Sequence, residues 1–205
     1  MSARVVHQVA AWCLGYPDED LLGRLPLLTH ALVEQPEGPQ RDRLARVVAY
    51  LGSRPLHELQ QHFVEVFDLS RKHALYLSYW TDGDTRRRGA VLGEFKQRYR
   101  DSGWLVDTGG ELTDYLPLVL EYAAVADPSD GVALLQQYRP SLELLKFALQ
   151  EADTPYALVV EAVCATLPGP SPADKAAVHA MAAAGPPSEQ VGLEGFALMP
   201  TRGES

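Results

Sequence analysis

The chain is short of the sequence devices by which enzymes hold cofactors. Its 205 residues include 2 cysteines, 3 methionines and 6 histidines, with no C-x-x-C pair, Walker loop, G-x-G-x-x-G turn or G-x-S-x-G elbow. Cys13 and Cys164 lie far apart in apolar helical patterns, which reads as two buried, reduced thiols of a cytosolic protein; a disulfide between them is the alternative. His57 and His62 are five apart, off a common helical face, and His73 follows the cations Arg71 and Lys72, so no metal is expected. Long apolar runs are missing too. Arg4, His7 and Gln8 interrupt the N-terminal segment, leaving no signal-peptide core, and nothing approaches the 18 apolar residues of a membrane span. The chain therefore reads as soluble and cytoplasmic, without stable membrane insertion. Strand-like alternation is also scarce.

What is present is enough apolar material, 46% of residues, for one substantial core. Charge is unevenly placed. Residues 1–70 carry a net −3, residues 71–100 a net +5 and residues 101–205 a net −11, within a total of −9. A short basic island in an acidic chain is the wrong pattern for nucleic-acid binding. The acidic C-terminal half would attract a cationic polypeptide segment.

Helical periodicity dominates and predicts an all-α, single compact bundle-like domain over residues 1–167. An opening helix carries Val5 to Cys13 and stops at Gly15-Tyr16-Pro17. Asp18 caps a second, with Pro26 an irregularity. Pro36 to Pro39 is a loop, residues 40–52 place Leu44, Val47, Val48 and Leu51 on one stripe, and Pro55 starts a helix with Leu59, Phe63, Val66 and Phe67 inward. Further helices are expected at about 85–100, 112–126, 131–151 with a break near Pro140, and 154–167. Residues 168–205 form a Pro/Gly/Ala-rich flexible tail with one short helix around Ala173–Ala184. Phe196, Leu198 and Met199 are apolar enough to dock in cis or on a client.

Two stretches stand out. Leu75 to Gly89 packs Tyr76, Tyr79 and Trp80 before Asp82-Gly83, sets Asp84 to cap a new helix, and places Arg86, Arg87 and Arg88 in its first turn, where acids are favoured. The second is Gly110 to Tyr122. Read as a helix, it puts Glu111, Asp114, Leu118 and Glu121 on one face, with Leu112, Leu116, Val119, Leu120 and Ala123 in the core and Asp107 just upstream. An acidic stripe beside Tyr115, Leu118 and Tyr122 suits an amphipathic helix bearing basic and apolar residues; it is equally the pattern of a solvated acidic helix face.

The run Tyr79-Trp80-Thr81-Asp82-Gly83-Asp84-Thr85-Arg86-Arg87-Arg88-Gly89, then Phe95 to Arg100 and Gly110 to Tyr122, resembles the nitrate reductase molybdenum-cofactor assembly chaperones, the NarJ family. These belong with the all-helical TorD and DmsD types of redox-enzyme maturation chaperone. Leu112 and Tyr115 depart from the TorD/DmsD pattern, and Thr113 stands where the nitrate-reductase form has proline, which points to a nitrate reductase client. The resemblance implies a non-enzymatic, client-specific chaperone without a cofactor of its own. Its partner would be the N-terminal segment of the apo catalytic (alpha) subunit of respiratory nitrate reductase. Its role would be unfolded-protein binding that supports molybdenum cofactor insertion and complex assembly before membrane docking, in the service of nitrate assimilation. Tyr79 and Trp80 would be the groove's apolar floor, Asp114 and Glu121 its cation partners, Leu118 and Tyr122 its wall, with Asp107, Glu111 and Tyr115 alongside. Arg86 to Arg88 would contact an acidic client patch or fix the acidic helix in cis. The rival is a helical enzyme or cofactor carrier that takes a small ligand in the groove.

Overall fold

In the computed structural model, which describes residues 1–82 and 86–184, eleven α-helices carry the described residues and no strand forms among them. The helices are α1 Ala3–Cys13, α2 Glu19–Val33, α3 Pro39–Gly52, α4 Leu56–Phe63, α5 Tyr79–Asp82, α6 Arg86–Asp101, α7 Leu116–Glu121, α8 Pro128–Gln137, α9 Arg139–Glu151, α10 Tyr156–Cys164 and α11 Lys175–Ala184. Local chemistry sets many of the ends. Asp18 accepts from the Leu21 amide at 2.8 Å and caps α2, and Asp127 accepts from the Ser129 and Asp130 amides and caps α8. Pro39, Pro128 and Pro140 occupy first-turn positions, where the missing N–H has no intrahelical role. The break expected near Pro140 falls at Tyr138. Pro26 does not interrupt α2, whose exposed side carries it.

The core is built around α1 and α10. Helix α10 buries Tyr156, Ala157, Val159, Val160, Ala162, Val163 and Cys164, so apolar side chains cover most of its circumference, as suits a central helix. It packs on α1, α3 and α9, while α1 also meets α2, α3 and α7. Cys13 and Cys164 are buried free thiols. Burial pushes the Cys13 thiol up to about 12, so it stays protonated and inert.

Two helices end in π-turns, Val64–Asp68 after α4 and Tyr122–Ala126 after α7. Such turns are rare in helices and gather at functional sites. The first supports an aromatic stack in which Phe67 lies 4.7 Å from Phe63 and 4.9 Å from Tyr156, ring centre to ring centre. The second meets α8 at Gly131, the one described glycine at which a neighbouring backbone comes too close for a side chain: a Cβ there would lie 2.9 Å from the Ala123 nitrogen and closer still to its Cα.

The expected helix over 112–126 is shorter. Residues 107–115 form turns, with Gly109 and Gly110 at φ of 58° and 90°, and α7 begins only at Leu116. Leu112, expected in the core, is 41% exposed for that reason. Residues 168–184 are held to the bundle. Arg139, buried at the start of α9, donates to the carbonyls of Pro168 and Gly169, and α11 lies on α9 with Val178 buried. Phe196, Leu198 and Met199 fall outside the described residues, as does the expected cap at Asp84.

A candidate polypeptide-binding trough

The two conspicuous stretches of sequence meet wall to wall. Leu75 to Ser78 lies beside Asp114 to Leu116: the Leu116 amide donates to the Leu75 carbonyl at 2.7 Å, and the Leu77 amide to the Asp114 carbonyl at 3.0 Å. Tyr76 and Tyr115 form an isolated antiparallel bridge, with rings 5.5 Å apart. The Tyr76 hydroxyl donates to Glu111 Oε2 at 2.7 Å. Burial first, then this carboxylate, raises the Tyr76 phenol above its ordinary range, and burial does the same for Tyr115. Both rings therefore stay neutral, apolar on their faces and polar at the tip.

Asp114 is not a surface cation partner. It is 0% exposed, accepts from the Ser78 amide at 3.0 Å and the Ser78 hydroxyl at 2.6 Å, and sits 3.5 Å from the Arg88 guanidinium. The guanidinium also donates to the Ser78 hydroxyl at 3.3 Å and lies over the rings of Tyr76 and Tyr79 at 5.5 and 5.8 Å. Arg88 thus fixes the acidic segment in cis, one of the two roles expected of the arginines. Because residues 111–115 are turns, the 3.6-residue spacing that placed Asp114 beside Glu121 does not apply to them.

Two clefts open on either side of this junction. The first, about 440 Å³, lies between the bend and the first π-turn, lined by Tyr16, Phe63, Phe67, Tyr76, Tyr79 and Tyr115 with Asp68, Arg71, Arg88 and Glu111 as its charged groups. The second, about 460 Å³, lies between α1 and residues 107–121. Its apolar wall is Trp12, Leu21, Pro117 and Leu118, and its charged groups are Asp18, Asp107, Glu111 and Glu121, all acidic. Tyr16, Glu111 and Tyr115 line both clefts, so the two are neighbouring compartments of one surface.

Of the expected site residues, Tyr79, Arg88, Asp107, Glu111, Tyr115, Leu118 and Glu121 reach this surface. Trp80 lines neither cleft; it packs on the core, and its indole N–H donates to the Ala74 carbonyl at 3.0 Å. Tyr122 is no groove wall either. It is buried, its ring 4.8 Å from that of Tyr99 and its hydroxyl donating to Asp130 at 2.9 Å. Arg87 is exposed, and the side chain of Arg86 lies outside the described residues. Tyr16, 51% exposed on the α1–α2 turn, carries no mark in the sequence beyond that of a helix stop. Phe63 and Phe67, inward by their spacing, also line the first cleft. Among the described residues, no group of three His, Cys, Asp or Glu is placed to hold a metal ion, and no helix is long and apolar enough to cross a membrane.

Comparison with known proteins fits this architecture. A solved Archaeoglobus fulgidus structure assigned as a redox enzyme maturation protein matches with a TM-score of 0.62, over 81% of this chain and 94% of that one, at 19% identity. The class is thus the all-helical fold of that maturation protein. The family model described as the nitrate reductase delta subunit matches residues 35–160. The probable nitrate reductase molybdenum cofactor assembly chaperone NarJ of Bacillus subtilis is 32% identical over 164 residues, 80% of this chain and 89% of that protein. Nitrate reductase-like protein NarX of Mycobacterium tuberculosis is 42% identical over 163 residues, 79% of this chain but 24% of NarX, so the chain spans about a quarter of that relative. This chain belongs to the nitrate reductase delta subunit family, the NarJ family of assembly chaperones.

Proposed function

We propose that this chain is a cytoplasmic, non-enzymatic chaperone that binds the N-terminal segment of the apo catalytic (alpha) subunit of respiratory nitrate reductase. By holding that segment it keeps the subunit open for molybdenum cofactor insertion, then releases it for assembly and membrane docking. The observation that carries the reading is the Tyr76–Tyr115 junction. It joins an aromatic cleft to a carboxylate-rimmed cleft, a surface whose apolar walls supply affinity and whose acids set register for a basic, amphipathic helix. The NarJ relatives are nitrate reductase assembly chaperones by name, which supports the choice of client.

Calorimetry with a synthetic peptide of the client's first residues tests it. Glu121 is exposed on the second cleft, so Glu121→Lys leaves the fold intact and is expected to weaken binding about tenfold at low salt, the upper end for one solvated ion pair turned repulsive. Apolar burial in the clefts predicts a negative heat-capacity change. Wild-type protein that shows no heat of binding sinks the proposal.

A further inference from the structure

A third concavity continues the trough. It holds about 690 Å³ between α1, α2 and the end of the second π-turn, and it shares Gln8 and Trp12 with the carboxylate-rimmed cleft. Its walls include Val5, Val9, Leu28 and Leu27, which is 62% exposed. Its only charged residues are Arg4 and Arg24. Both are held in place: the Arg4 Nε donates to the Ala124 carbonyl at 2.8 Å, and the Arg24 guanidinium lies 4.2 Å over the Trp12 ring. The second and third concavities share α1 as their floor, 11 residues and so roughly 16 Å long at 1.5 Å per residue. Charge therefore changes along this floor: Arg4 lies beside the N-terminal end of α1, Arg24 further along against Trp12, and the four carboxylates of the second cleft beside the C-terminal half.

We infer that this third concavity is part of the same client site, and that the trough takes an amphipathic client helix lying antiparallel to α1. The inference rests on the client reading above and adds an orientation to it. A helix carries partial positive charge at its N-terminus and partial negative charge at its C-terminus. Antiparallel to α1, the occupant's positive end and basic residues meet Asp18, Asp107 and Glu121, while its negative end meets Arg4, with Arg24 available to an acidic residue part-way along. The reverse orientation places like charges together at both ends. The partner is thus a helix of about three turns with an apolar face, basic near its start and neutral or acidic near its end, the length following from the floor at 3.6 residues per turn.

The experiment uses the full chain, isotope-labelled, and the client N-terminal peptide carrying a nitroxide at one end or the other. The expected result is that the N-terminal label broadens the amides of Asp107, Thr108 and Gly109, and the C-terminal label those of Leu27, Ala31 and Val125. The opposite assignment, or no broadening at Leu27 and Ala31 from either label, overturns the inference while leaving the client reading in place. A second measurement uses Arg24→Glu with Leu27→Ser, both at exposed positions: peptide affinity is expected to fall about tenfold, the scale of one lost apolar contact, with unchanged circular dichroism. Unchanged affinity counts against the third subsite, whereas a wild-type chain that binds no peptide removes the client reading and this inference with it.

Discussion

Replacing Asp114 by alanine separates two roles that a carboxylate in this segment could have, client contact or internal clamp. In the wild type the side chain is fully buried and accepts from the Ser78 amide at 3.0 Å and its hydroxyl at 2.6 Å, with the Arg88 guanidinium at 3.5 Å. A hydrogen bond to a charged group contributes about 1.5–3 kcal/mol, and a buried donor left unsatisfied costs about 1–3 kcal/mol. Removing one partner of a fully buried ion pair costs about 3–5 kcal/mol. The Arg88 side chain is 13% exposed and keeps its ring contacts, so solvent recovers part of its loss. The expected cost of Asp114→Ala is about 3 kcal/mol, at the low end of that buried-pair range.

Urea unfolding followed by circular dichroism reads this directly. With a slope of about 2 kcal/mol per molar, the midpoint falls by roughly 1.5 M. Arg88→Ala and the double variant complete a cycle whose coupling should exceed about 1 kcal/mol if the pair acts as a clamp. A cost below about 1 kcal/mol refutes the reasoning, because it would mean that the junction does not depend on this carboxylate. So does a fully stable variant that has lost peptide affinity, since Asp114 would then face the client.

Two further predictions test the scaffold. His7 is completely buried, with Nε2 2.9 Å from the Thr166 hydroxyl and Nδ1 without a hydrogen-bond partner, and burial lowers its pKa from 6.5 to about 4. The unfolded chain therefore binds the proton first, and stability from this site is full above pH 6.5 and is lost as pH falls towards 4, by about 1.4 kcal/mol per unit. Burial lowers the pKa of His62 as well, so the His7 share is isolated against His7→Gln: urea midpoints at pH 7, 6 and 5 should converge by about 1 kcal/mol per unit below pH 6.5, and a constant gap contradicts the assignment. Gly131→Ala improves helix propensity by about 1 kcal/mol but drives a methyl into the Ala123 backbone. Overpacking of about 1–3 kcal/mol or more should win and lower the melting temperature, while a variant as stable as wild type would show that α8 sits further from the second π-turn.

Most of the fold was legible because helix period, caps and prolines are local. Asp18 marks a helix start that the structure keeps, and the stripe Leu44, Val47, Val48 and Leu51 is buried as its spacing requires. The candidate site was legible only in part, because its defining contact joins residues 36 apart in sequence. An acid between Thr113 and Tyr115 has no local mark that separates a solvated carboxylate from one matched to a distant serine and arginine. The wheel reading failed at the point where Pro117, Gly109 and Gly110 favoured turns over a longer helix, and with it went the acidic stripe. Arg139, Glu143 and Lys146 show the same limit on α9. All three are buried and joined to one another, although charges at this spacing normally mark a solvent face. Distant segments pack over this helix: Arg139 grips the Pro168 and Gly169 carbonyls, and α10 and α11 lie on α9.

That arrangement bears on how a chaperone can hold a client and still let it go. The second and third concavities are floored by α1, a helix packed into the core against α10 and α3. The far wall of the second is a set of turns, residues 107–115, anchored at the Asp114–Ser78–Arg88 clamp and at Tyr99, whose hydroxyl donates to the Thr113 carbonyl at 2.7 Å. Ahead of these anchors Asp107 to Leu112 has few ties: Asp107 accepts from the Gly109 amide at 2.9 Å, the Glu111 amide donates to the Thr108 carbonyl at 3.0 Å, and the Glu111 carboxylate accepts from Tyr76. Segments with few buried contacts open at low free-energy cost. The turns that carry Asp107 and Glu111 are thus the part of the site that opens at least cost, and on the proposed client reading grip falls to α1 and adjustment to these glycine-bearing turns.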